Sequence, residues 1–126
     1  MGAVVAIDGR IVARAGNASR RLCDPTGHAE VRALRRAARV LARHRLPEVT
    51  LVVTLEPCLM CMGAMVHARI GRLVFGAVDA KTGAAESLYR VGADRRLNHR
   101  FPSEGGVLAD ECGALLRTFF AQRRRS

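Results

Sequence analysis

VTLVVTL, residues 49–55, lies between Pro47 and the sequence Glu56-Pro57-Cys58. Seven β-branched and aliphatic residues without a charge suit a strand buried on both faces, as in the middle of a sheet flanked by helices. Pro57 then stands where a helix would open, because proline favours the first helical turn. The spacing predicts that helix from Cys58 to about Arg69, stopping before Gly71, with a second short strand at Arg72–Phe75. Upstream, His28 to about His44 places Val31, Leu34, Ala38 and Leu41 at helical spacing, and arginines 32, 35, 36, 39 and 43 cover much of the remainder.

The remaining segments fill out an α/β pattern. Gly2–Ile7 and Arg10–Ala15 flank Asp8-Gly9, a strong two-residue hairpin signal because both turn positions need positive φ. Gly16–Gly27, with Asn17, Asp24 and Pro25, reads as a loop, and Gly76–Gly83 as a Gly-rich one. A helix is expected over about Glu86–Val91, and an irregular segment over Leu97–Val107 leaves room for one more strand. A last helix is expected from about Ala109 to Arg123, with Asp110 and Glu111 in its first turn and arginines in its last, as the helix dipole favours. Strand–helix–strand–helix–strand order predicts one α/β domain over residues 1–126, with helices on both faces of a mixed sheet.

Composition narrows the function classes. A chain of 126 residues that is 49% hydrophobic can bury a core, and no apolar run approaches the ~20 residues of a membrane span. Asp8 and Arg10 interrupt the only apolar N-terminal run, so no signal peptide is expected and the cytoplasm is the default location. The net charge of +10 favours polyanionic partners, nucleic acid first. Lys81 is the only lysine against a background of arginine, alanine and glycine, so codon bias is a competing source of that charge. Cys23 and Cys112 stand alone and read as free thiols.

Cys58-Leu59-Met60-Cys61 puts two thiols on one helical face at a helix start, where the dipole favours thiolate. A thioredoxin-like redox pair and half of a zinc site both use this arrangement. His28-Ala29-Glu30, also at a helix start, separates them. One histidine and two cysteines give zinc three protein ligands and leave its fourth position open, which is the pattern of a catalytic site. Glu30 is then free to handle protons, whereas a redox pair has no use for it. His-x-Glu followed by Pro-Cys-x-x-Cys is the known signature of zinc-dependent nucleobase deaminases.

Beyond that signature, HAE (28–30), the long segment from VTLEPCLMCMG to AAESL (53–88), LNHR (97–100) and LADECGALL (108–116) resemble the bacterial tRNA-specific adenosine deaminase family. The resemblance covers essentially the whole chain from Gly2. It implies a cytidine deaminase-like three-layer α/β/α fold on a five-stranded mixed sheet, one Zn2+ per chain, a homodimer, and deamination of the wobble adenosine of a tRNA anticodon loop. Carried over residue by residue, it implies His28, Cys58 and Cys61 as zinc ligands and Glu30 as general acid and base. It also implies Asn17 bonding the flipped base, Ala29 and Pro57 lining the pocket, Asp79 and Lys81 beside the bound strand, and Phe119 and Phe120 against flanking nucleotides. At adjacent positions on a helix those two phenylalanines point differently, so one of them is expected in the core. Members of the family usually carry an amphipathic helix ahead of the first strand, whereas this sequence begins at the strand. Glu86 stands where a small residue is common, and Val91–Arg96 is dissimilar to the family. Two alternatives stay open: the same fold acting on single-stranded DNA or on a free base or nucleoside, and a non-catalytic RNA-binding subunit.

Overall fold

A computed structural model describes residues 2–106. The expected hairpin is present as β1 (Gly2–Ile7) and β2 (Arg10–Gly16). Asp8 and Gly9 have φ of 49° and 77°, the left-handed pair a type I′ turn requires. Then follow α1 (Ala29–Leu41), β3 (Thr50–Leu55), α2 (Leu59–Ala68), β4 (Arg72–Ala77) and a short β5 (Ser103–Gly105). The strands form one sheet in the order β2-β1-β3-β4-β5. β1 runs antiparallel to both its neighbours, while β3, β4 and β5 are mutually parallel. The sheet is therefore five-stranded and mixed, as the resemblance implied.

Register aligns the core-facing side chains into rows. Ala15, Ala3, Val53 and Phe75 are successive partners across four strands, and so are Ala13, Val5, Leu51 and Leu73. All eight are buried in one cluster with α1 and α2, so both described helices lie on this face. The side chains of Val4, Val52 and Val74 alternate with these rows, point to the opposite face and are also buried. The helix expected at Ala109–Arg123, and with it a second helical layer, lies outside the described residues.

The buried stripe of α1 differs from the expected one. Ala29, Ala33 and Ala37, four residues apart, are at most 1% exposed, joined by Leu34 at 6%. Val31 and Leu41 are only partly buried. The cause lies in the hairpin: Ala3, Ala13 and Ala15 make a shallow surface, and alanines opposite them let α1 sit close to it. That close approach brings the start of α1 against the sheet.

α1 and α2 both end on a residue in the left-handed conformation, Ala42 (φ 55°) and Arg69 (φ 57°). The N–H of Arg43 returns to Ala38 O and that of Ile70 to Met65 O, which satisfies carbonyls the helices leave open. The helix expected over Glu86–Val91 does not form. Turns occupy that segment, and only a 3-10 turn at Val91–Ala93 follows. The N–H groups of Ala85, Glu86 and Ser87 all bond the Glu56 carboxylate, which bends the chain around a point instead of along an axis.

Candidate metal centre

The starts of α1 and α2 converge beside the C-terminal ends of the central strands. His28 is the extended residue before α1 (φ −69°, ψ 152°), and Cys58 stands the same way before α2 (φ −78°, ψ 175°). Cys61 lies one turn into α2 and is fully buried. His28 Nδ1 is 3.6 Å from Cys58 Sγ and 3.5 Å from Cys61 Sγ, and the two sulfurs are 3.7 Å apart.

Those three lengths test the fit of a metal. With Zn–S bonds of about 2.3 Å and a Zn–N bond of about 2.05 Å, tetrahedral angles place the sulfurs about 3.8 Å apart and the nitrogen about 3.6 Å from each. The observed triangle matches on all three sides, and a tetrahedral ion seated on it keeps its fourth vertex free. Burial pushes the Cys61 thiol well above the ordinary thiol range, and the nearby Glu30 carboxylate and Cys58 push it the same way. A divalent cation reverses that balance by favouring thiolate. His28, Cys58 and Cys61 are the group of ligand-type side chains among the described residues able to hold a metal ion.

Glu30 occupies the first turn of α1, where a carboxylate is favoured by the dipole, and is 4% exposed beside Cys61. Ala29 and Pro57 are buried at the two helix starts. Asn17 follows directly on β2. Its neighbour Ala18 donates to Gly27 O, which holds this segment next to the residue preceding His28. The Asn17 side chain is exposed, and its Oδ1 accepts from the Ser19 N–H. Asp79 accepts from the N–H groups of Lys81 and Thr82 and from the Thr82 hydroxyl, so its carboxylate shapes its own loop. The Thr82 hydroxyl bond, first among these, keeps the Asp79 carboxyl below its ordinary range. Lys81 is exposed at the tip. Phe119 and Phe120 lie outside the described residues.

Sequence reasoning missed Glu56. It is 3% exposed and accepts five hydrogen bonds: from the backbone of Asp79, Ala85, Glu86 and Ser87, and from the Ser87 hydroxyl at 2.5 Å. Burial pushes this carboxyl up, but the Ser87 hydroxyl and the N–H groups of Glu86, Ser87 and Asp79 outweigh it and hold it at about 2. The available signal was a charge placed between an apolar strand and Pro-Cys, where it must be buried and therefore partnered.

Nearly the whole chain matches known deaminases. The family model of MafB19-like deaminases matches residues 1–124. A tRNA-specific adenosine deaminase of Haemophilus influenzae is 50% identical over 98% of this chain and 72% of its own length. A solved tRNA:A34 deaminase, studied for A-to-I editing at the wobble position, superposes with a TM-score of 0.80 at 47% identity, covering 83% of this chain and 81% of the other. A guanine deaminase of Bacillus subtilis superposes less well, with a TM-score of 0.60 at 33% identity over 69% of this chain and 66% of the other. With the metal triangle, the buried glutamate and the sheet all in place, the chain belongs to the tRNA-specific adenosine deaminase family.

Proposed function

We propose that this protein hydrolyses adenosine to inosine at the wobble position of a tRNA anticodon, with one Zn2+ per chain on His28, Cys58 and Cys61. The observation that carries the proposal is the His28–Cys58–Cys61 triangle, sized for tetrahedral zinc, with the buried Glu30 carboxylate beside Cys61. Zinc bound there supplies a Lewis acid that lowers the pKa of a water towards about 7.

Glu30 moves the protons. Its carboxylate takes one from the attacking water and gives it to ring N1, then takes the remaining proton from the new C6 hydroxyl and delivers it to the exocyclic nitrogen. The C6–O bond forms, the C6–N bond breaks, and ammonia leaves. Asn17 hydrogen-bonds the flipped base, while Ala29 and Pro57 line its pocket. Asp79 and Lys81 flank the bound strand, and Phe119 and Phe120 meet neighbouring nucleotides. An unpaired loop base costs little to splay out, which suits an anticodon. The protein works as a single 1–126 domain in a cytoplasmic homodimer. Among the described residues no helix is long and apolar enough to cross a membrane.

Likeness to a guanine deaminase keeps a free purine as the second reading. An assay for ammonia and inosine on an anticodon stem-loop with a wobble adenosine, run beside matched single-stranded DNA, free adenosine and guanine, decides. Inosine formed fastest in the stem-loop is the expected result. Preference for DNA or for a free purine transfers the same chemistry to that substrate, and no turnover of any substrate by zinc-loaded protein defeats the enzyme reading.

A further inference from the structure

Glu56 lies one residue beyond β3 and two before the ligand Cys58. Its partners come from one loop, and they bracket it: Asp79 at one end, Ala85, Glu86 and Ser87 at the other. Between those anchors the chain presents exposed Lys81 and Thr82 to solvent. The same loop is stitched to the start of α2 by the Ala84 N–H on Pro57 O, at 2.8 Å, and by an antiparallel bridge between Gly83 and Cys58. Packing at this junction is tight. A Cβ on Gly83 would fall on the Glu56 carboxylate and 2.5 Å from Asp79 O. A surface loop of this length needs no buried anion to close. A carboxylate that gathers four backbone N–H groups fixes both loop ends relative to the metal ligand, more rigidly than the two backbone links alone.

We propose that Glu56 is a positioning residue: it sets the 79–87 rim against Cys58 so that the rim engages the RNA strand flanking the target base, and so governs substrate affinity instead of the chemical step. This rests on the deaminase reading above. Glu56→Gln keeps the shape but offers one acceptor oxygen where two are used, and its amide N–H2 opposes N–H donors.

The test uses full-length, zinc-loaded protein. Kd for the wobble-adenosine stem-loop is measured in a Glu30→Ala background, kcat in the native background, and amide exchange at residues 85–87 in both. Glu56→Gln is expected to retain one zinc, to raise Kd about tenfold or more, to change kcat less than about threefold, and to speed exchange at 85–87. Ser87→Ala, which removes one donor, should raise Kd about two- to fivefold in the same direction. It decides by the same split if Glu56→Gln does not fold. Zinc loss, a kcat decrease at unchanged Kd, or faster exchange with Kd unchanged each overturns the proposal, as does a native chain that does not bind the stem-loop. Tight binding weakened by Glu56→Gln, without inosine from the native chain, would instead uphold the rim role and defeat the deaminase reading.

Discussion

The candidate site has two halves built in different ways. The metal half is made of two helix starts, His28-Ala29-Glu30 and Cys58–Cys61, where each functional residue lies within three positions of another. The rim half is a loop, 79–87, held by one carboxylate 23 to 31 residues upstream. Chemistry concentrates where local spacing can aim it, and positioning depends on contacts that only the finished fold makes.

The largest effect should follow from removing a ligand. Cys61→Ala breaks the triangle, and zinc content should fall from one per chain towards zero, with deamination reduced about a thousandfold or more. Full activity at zero zinc would remove the metal half from the comparison. Chelation of the native protein should give the same loss, restored by added zinc. Next, Gly83→Ala overfills the junction between Glu56 and Asp79 and should lower unfolding stability by about 1–3 kcal/mol in denaturant titrations, with zinc retained. A Gly83→Ala chain as stable as the native one would mean that the junction has room for a methyl group.

How much was visible in sequence follows the same division. The Asp8-Gly9 turn, the β3 run and the two helix starts carry their structure in adjacent residues, so hairpin, central strand and the cluster of His28, Cys58 and Cys61 were all legible. Glu86–Val91 has helix-forming composition, yet the fold withholds a helix because Glu56 captures the N–H groups of Ala85, Glu86 and Ser87. No local signal encodes that long-range bond. For α1 the period was legible but not the stripe, because the choice of Ala29, Ala33 and Ala37 over Val31 and Leu41 is made by the alanines of the hairpin opposite.

A smaller effect is expected at Asp79. Asp79→Ala removes the acceptor for Lys81 and Thr82, so amide exchange at those two residues should quicken while zinc binding is unchanged. Loss of zinc in that variant would mean the halves are not separable. The smallest concerns acid. The Arg96 side chain, with its backbone N–H, holds the Asp94 carboxyl at about 2, below its ordinary value of 3.8. Its contribution to stability is therefore complete above that ordinary value and is lost as pH falls towards 2. Asp94→Asn should flatten that acid limb slightly in a pH series of thermal melts and leave both halves of the site untouched.

The role of Glu30 beside a bound zinc is tested by the rate of inosine formation in a wobble-adenosine stem-loop by native protein and by Glu30→Ala, with zinc content measured in both. One zinc in each is expected, with a rate about a hundred- to ten-thousandfold lower without the carboxylate. Equal rates at equal zinc would contradict that role, because the buried glutamate beside the metal would then have no part in the reaction.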